Sequence, residues 1–258
     1  MEEFYTNYYA AIEQSQAHRT FCERVFGKDL GQHGFADLGQ LELVLQTTQL
    51  GAAHHALDLG CGNGLIAEYL SDQSGAHITG IDYISGAIRL AQQRTAAKAQ
   101  RLAFRVGDIN QLDLPGNAFD VILSIDTIYF SDDYTTTLQA LKAALRPNGQ
   151  MAFLYSYGRE PWVAKEDFPA EKLRPEQTPL AEALAITGLQ FQSYDLTKED
   201  YRLAQRRKAV LADLKPQFEA EGVHFLYQNR LGDAEGICQA IEEGLHVRYL
   251  YHVLTRLG

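Results

Sequence analysis

Along the middle of the chain, short apolar runs alternate with longer segments in which apolar residues recur at helical spacing. Ala56 to Leu59 is a short apolar run that closes on alternating glycines, and Leu65, Ile66, Tyr69 and Leu70 then share one helix face, which predicts strand, tight turn, helix. His77 to Asp82 predicts a second strand, and the segment from Ser85 to about Lys98 a helix with Ile88 and Ala91 inward. Leu102 to Val106 is a third strand. Phe119 to Asp126 is almost continuously apolar, as expected of a strand buried on both faces. Asp132 or Asp133 can cap a helix carrying Leu138, Leu141 and Leu145, which stops at the turn signal Arg146-Pro147-Asn148-Gly149, and Gln150 to Ser156 is the fifth strand. This repetition predicts a parallel sheet with helices on both faces.

The two ends follow a different rhythm. Residues 2–26 place Phe4, Tyr8, Ile12, Phe21 and Val25 at helix-like intervals and predict an amphipathic helix ending at Gly27. A loop over 28–37 and a second helix stopping at Gly51 come next. After Tyr157, residues 158–179 read as loop, Leu180 to Gly188 as helix, and Leu189 to Leu196 as a sixth strand. A helical insert over about 198–221 should be kinked or interrupted by Pro216. A shorter helix over about 234–243 takes Asp233 as its cap, and Leu245 to Leu254 is a closing strand. The expected organisation is one domain: an N-terminal helical lid (1–50), a core (51–196 and 244–258) and a helical cap (197–243).

Composition narrows the partners. With 46% hydrophobic and 22% charged residues the chain is ordinary for a globular protein, and its net charge of −10 with a pI near 5.3 argues against nucleic acid or an anionic membrane. The start of the chain lacks the features of a signal peptide, no apolar run approaches a membrane span, and the three cysteines are scattered. The expectation is a cytoplasmic protein, monomer or homodimer, that acts on a small molecule.

The chemistry centres on Asp58-Leu59-Gly60-Cys61-Gly62-Asn63-Gly64. Glycines let such a turn take dihedrals other residues resist and let backbone press against a ligand at a helix N-terminus. A dinucleotide fingerprint wants its third glycine where Leu65 stands. Here it falls at Gly64, and the acid of Asp58 would repel a pyrophosphate while welcoming an ammonium. Asp82, Asp108 and Asp126 close three further strands, so with Asp58 they would line one sheet rim. Asp82 can accept both hydroxyls of a ribose, against the plainer reading that it caps the next helix. Asp108 can accept an adenine amine while Ile109 packs on the ring.

Other residues divide between a site and a plain structural role. The tyrosines Tyr5, Tyr8 and Tyr9 either pack an amphipathic helix on the core or roof a site. His33, between flexible glycines, is a candidate general base or a solvated loop histidine. Asp126, Tyr129, Tyr155 and Tyr157 are rim candidates for proton handling or substrate contact. Arg202, Arg206, Arg207 and Lys208 form the one dense basic cluster, either a solvated helix face or the source of one arginine, Arg207, for a substrate anion. No metal site is visible, since His54-His55 have no Cys or carboxylate at ligand spacing.

Taken in order and spacing over roughly 54–155, these motifs resemble the class I S-adenosylmethionine-dependent methyltransferases: the glycine loop, Gly80-Ile81-Asp82, Gly107-Asp108, Phe119-Asp120-Val121-Ile122, and Leu145 to Gly149 before a strand. The resemblance is to the small-molecule branch of the methyltransferase type 11/25 kind. It implies an α/β fold with a doubly wound, Rossmann-like seven-stranded sheet, the last strand antiparallel and beside the fifth, and a cofactor S-adenosyl-L-methionine that leaves as S-adenosyl-L-homocysteine (SAH). It assigns Gly60, Gly62 and the loop around them, with Asp58, Cys61 and Asn63, to the methionine tail, Asp82 to ribose, and Asp108 with Ile109 to adenine, and counts Tyr83, Ser124 and Asp126 among the cofactor contacts. Tyr129 and His33 are the catalytic candidates, and Tyr9, Tyr129, Tyr155, Tyr157 and Arg207 the substrate contacts. Ile125-Asp126-Thr127-Ile128-Tyr129 stands where many amide and base-amine methylases carry Asn/Asp-Pro-Pro-Tyr, which speaks against those substrates. The alternatives are a protein or nucleic-acid methyltransferase and a non-methylating binder of the same cofactor.

Overall fold

A computed structural model describes residues 2–160 and 162–255. Seven strands form one sheet: β1 (His55–Leu59), β2 (His77–Asp82), β3 (Leu102–Val106), β4 (Phe119–Ile125), β5 (Leu145–Gly158), β6 (Gln190–Asp195) and β7 (His246–Leu254). Their order is β3-β2-β1-β4-β5-β7-β6, and β7 runs antiparallel to both its neighbours. The order reverses on either side of β1, so β1 and β4 part their connecting chains at their C-terminal ends. Ligands of open α/β sheets bind in that crevice.

The sheet is covered on both faces. Ala56, Ile78, Val121, Leu123, Ala152 and Leu154 pack under helices α3 (Leu38–Thr48), α4 (Leu65–Ser74) and α5 (Ser85–Arg94). The alternate residues Leu57, Leu59, Ile122, Met151, Phe153 and Tyr155 pack under α6 (Tyr134–Ala144) and α7 (Pro179–Ile186). Successive strand side chains point to opposite faces, so these two sets follow from the strands' near-continuous apolar sequence.

The N-terminal lid and the late insert form one body. Helices α1 (Glu2–Gln14), α2 (Gln16–Phe26), α8 (Thr197–Ala220) and α9 (His224–Glu242) share a core of Tyr8, Ile12, Phe21, Val25, Leu211, Leu214, Phe218 and Leu226. Three sequence expectations change here. Residues 2–26 are two helices, because Ser15 takes an extended conformation and its side chain caps α2 by accepting from His18 N at 3.0 Å. Helix α8 runs unbroken through Pro216. Helix α9 begins at His224, about ten residues earlier than its pattern suggests, and carries Gly232, Asp233 and Gly236 in its interior. Packing of Leu226, Tyr227 and Ile237 compensates for those weak helix formers. Residues 256–258 of the expected core lie outside the described residues.

The candidate active site

A cavity of about 490 Å³ opens at the C-terminal ends of β1, β2, β3 and β4, beneath α1 and the loop preceding α3. Its floor is the glycine turn. Gly60, Gly62 and Gly64 all have positive φ (78°, 54° and 74°), the region that favours glycine. A Cβ at Gly60 would lie 2.6 Å from the Cβ of Thr127, and one at Gly62 would run into the Tyr9 hydroxyl, so the loop is also packed too tightly for side chains. The amides of Gly60 and Cys61 both donate to Ile81 O, at 2.7 and 3.0 Å, tying the turn to the end of β2.

Asp82 holds this turn in place. Its carboxylate accepts from Gly62 N and from Ile84 N, each at 2.8 Å, which fixes the glycine turn and starts α5 together. The capping role and the site role, alternatives in the sequence, coexist in one side chain. Asp108 and Ile109 line the same cavity at the end of β3, with Asp108 accepting from Asn110 N at 2.9 Å. Asn110 in turn accepts from Asp132 N at 2.8 Å, joining that strand end to the 130–132 segment. Tyr83 stands at the rim, 53% exposed, and donates to Glu2 at 3.3 Å.

Asp58 lies a layer deeper than the sequence suggests. It is 2% exposed one residue before the end of β1, outside the cavity lining, and its Oδ2 has no hydrogen-bond partner among the described residues. Burial, helped by the charge of Asp82, raises its carboxyl to about 7. An unpartnered buried carboxylate behind a glycine cradle is what a ligand ammonium would stabilise, so the residues present fit the methionine end of the cofactor.

The far wall comes from α1 and the loop preceding α3. Tyr5, Tyr9, His33, Tyr129 and Phe130 all line it. Tyr5 is central, with ring centroids 6.4 Å from Tyr9, 5.2 Å from His33 and 6.1 Å from Phe130. Of the tyrosines clustered in the sequence, Tyr5 and Tyr9 face the cavity, whereas Tyr8 is turned into the helical core. His33 is 3.1 Å from Asn229 Oδ1, and burial beside Arg230 lowers its pKa to about 3. It therefore stays neutral, and proton NMR should show no titration of His33 between pH 5 and 8. Burial, then the charge of Asp126, keeps the Tyr129 phenol protonated.

Several sequence candidates are otherwise engaged. Asp126 lines the cavity, but its carboxylate is held by Arg248, at 2.6 and 3.1 Å, and by the amides of Phe35 and Ala36, at 2.7 and 3.2 Å. It is neither a free base nor a free cofactor ligand. Ser124 is fully buried against the Thr127 hydroxyl at 2.6 Å and leaves the lining to Thr127. Tyr155 and Tyr157 point to the α6/α7 face, stacked on one another and contacting Tyr134 and Phe168. Arg207 is buried over the Phe35 ring, 4.6 Å from its centroid, and 3.7 Å from Asp233, outside the lining. Tyr5, weighed with Tyr8 and Tyr9 as a possible roof, joins the site, and so do Thr127, Asn110 and Phe130, which no sequence signal marked.

Three of the cysteine, histidine and acid side chains, His18, Cys22 and Asp29, cluster within 4.8 Å, although sequence spacing gave no metal site. His18 Nε2 sits 3.2 Å from the Arg230 guanidinium, a cation where a metal ion would add a second. The cluster reads as a buried hydrogen-bonding group.

Comparison with known proteins agrees with this geometry. Residues 57–153 match the methyltransferase domain family model. Phosphoethanolamine N-methyltransferase 1 of Arabidopsis thaliana is 31% identical over 149 residues, covering 57% of this chain and 29% of that protein. The chain thus spans about three tenths of the length of the curated relatives it matches. Among solved structures, phosphoethanolamine N-methyltransferase 2 of Haemonchus contortus superposes with a TM-score of 0.77 at 17% identity, over 96% of this chain and 59% of that one. A putative sarcosine dimethylglycine methyltransferase of Galdieria sulphuraria gives 0.67 at 18% identity over 84% of each chain. The strand order, the glycine cradle and the matched segment agree: residues 57–153 are similar to the methyltransferase domain family, on a fold shared with these solved methyltransferase structures.

Proposed function

We propose that this chain transfers a methyl group from S-adenosylmethionine to a small-molecule acceptor held under the α1 roof. One observation carries the reading: a single cavity joins the Gly60–Gly62 cradle and Asp82 to an aromatic chamber. Gly60, Gly62 and Asn63 would hold the methionine end, Asp82 and Tyr83 the ribose, and Asp108 and Ile109 the adenine. The cofactor, when bound, supplies an already activated methyl.

The chain's own work is alignment and dehydration. Holding two reactants in attack geometry accounts for about 7–11 kcal/mol of barrier in well-oriented systems. The roof of Tyr5, Tyr9 and the loop around His33 keeps water from the reacting centre. Tyr129 and His33 are neutral at physiological pH, so they orient an acceptor by hydrogen bonding or ring contact, and an acceptor that arrives with a lone pair needs no base from them.

Calorimetry with SAH tests the reading, and Asp58 adds a signature. A cationic ligand group lowers the carboxyl that burial holds at about 7. Binding below that pH therefore expels a proton, and affinity should climb as pH rises towards about 7 and then level. Titrations in two buffers of different ionisation enthalpy should reveal the release, and Asp58→Asn should abolish it. No heat with SAH, or binding of a nicotinamide nucleotide in its place, would overturn the assignment.

A further inference from the structure

We infer that the acceptor chamber takes a compact amine carrying no phosphate, whose nitrogen lone pair takes the methyl as the carbon–sulfur bond of the cofactor breaks, and that it holds the resulting ammonium product. The inference rests on the methyltransferase reading but reaches residues outside the family match, since Tyr5, Tyr9 and His33 all precede residue 57.

The rings of Tyr5, Tyr9, His33, Tyr129 and Phe130 line one end of the cavity as a packed aromatic box, Tyr5 edge-to-face with His33 and Phe130 and Phe130 4.9 Å from Tyr129. Ring faces attract a cation and offer an anion nothing. The rings of Tyr5 and His33 carry no charge, because burial leaves Tyr5 pushed up to about 12 and His33 down at about 3. Among the described residues no lysine or arginine lines the cavity, whereas five carboxylates do: Glu2, Asp82, Asp108, Asp126 and Asp132.

Three arginines stand close behind the wall, and each is committed there. Arg248 is paired with Asp126. Arg207 covers Phe35 and faces Asp233. Arg230 is the one without a carboxylate, and it is fully buried, donating to the Tyr8 hydroxyl and to the carbonyls of Gln32 and His33. A phosphate in the chamber would have to strip Arg230 from those acceptors and expose the loop they pin. A cation in the cavity instead meets aromatic rings and the carboxylates that line it. Phosphate-bearing acceptors named for the relatives therefore do not carry over to this chamber.

The test uses the full chain saturated with SAH and three probes: choline, its uncharged isostere 3,3-dimethylbutan-1-ol, and phosphocholine. Choline is expected to bind about ten-fold more tightly than the isostere, the size of a desolvated cation–π contact, and more tightly than phosphocholine. Tyr5→Leu and Phe130→Leu should each remove most of that advantage. Phosphocholine binding as well as or better than choline would overturn the proposal and point to Arg230 as an anion anchor; so would equal binding of the isostere, or no binding of choline. Failure of SAH itself to bind is a separate result against the methyltransferase reading, and choline measured on the free chain then decides the box alone.

Discussion

Replacing Asp82 with alanine is expected to weaken SAH binding by about a hundred-fold or more while the chain stays folded. The carboxylate accepts two backbone amides, Gly62 N and Ile84 N, at 2.8 Å each, from two different elements. Hydrogen bonds to a charged group are worth about 1.5–3 kcal/mol apiece, so the pair, about 3–6 kcal/mol together, gives that loss when most of it reaches the binding equilibrium. The glycine turn has positive φ values, and without Asp82 its backbone tie to β2 is reduced to the Ile81 carbonyl, with Arg94 still donating to Asn63 O at 2.8 Å from α5. Asp82→Asn keeps one acceptor oxygen and should fall between the two. Calorimetry with SAH, beside a circular dichroism melt, measures both quantities. An alanine variant binding within a few-fold of wild type would reduce Asp82 to a helix cap.

The core of the fold was legible because its signals are local. Strands β1 to β4 are short, and β1, β2 and β4 close on a glycine or an acid where the chain must turn at the sheet edge, so Gly60, Asp82 and Asp126 all fell at the right rim, whereas β5 opens already at Leu145, which the pattern gives to the preceding helix. The cap was less legible because its helices are held by one another. Nothing near Gly232, Asp233 and Gly236 announces a helix; their neighbours Leu226, Tyr227 and Ile237 make one by burying themselves. Pro216 is tolerated because α8 buries Leu214 and Phe218 on either side of it. The substrate candidates on β5 failed on parity. Tyr155 and Tyr157 share a face, and the sequence cannot say which face meets the cap; it is Ser156, between them, that reaches Arg248 at 2.8 Å. Asp126 looked like a free rim acid because its partner is 122 residues away, on the final strand.

That partner is the basis of the largest expected effect on stability. Arg248→Leu should destabilise the chain by about 3–5 kcal/mol, because it strands a buried carboxylate without its counter-charge. The side chains of Arg248 and Asp126 are 0% and 1% exposed, and the guanidinium also donates to Gln40 Oε1 at 2.9 Å. Asp126 itself sits at φ 57°, a conformation asparagine tolerates, so Asp126→Asn removes the charge without straining the backbone. Combining it with Arg248→Leu should therefore recover part of the loss, which urea unfolding of the four species of the double-mutant cycle would measure. The same pair bears on function. Asp126 holds the amides of Phe35 and Ala36, and Gly34 approaches so closely that a Cβ there would lie 2.6 Å from its Oδ2. Losing Arg248 should loosen the His33 loop from the sheet and weaken choline more than SAH, since the roof belongs to the acceptor side and the glycine cradle does not depend on it. Equal losses for both ligands would mean that the ion pair supports the whole cavity rather than its roof.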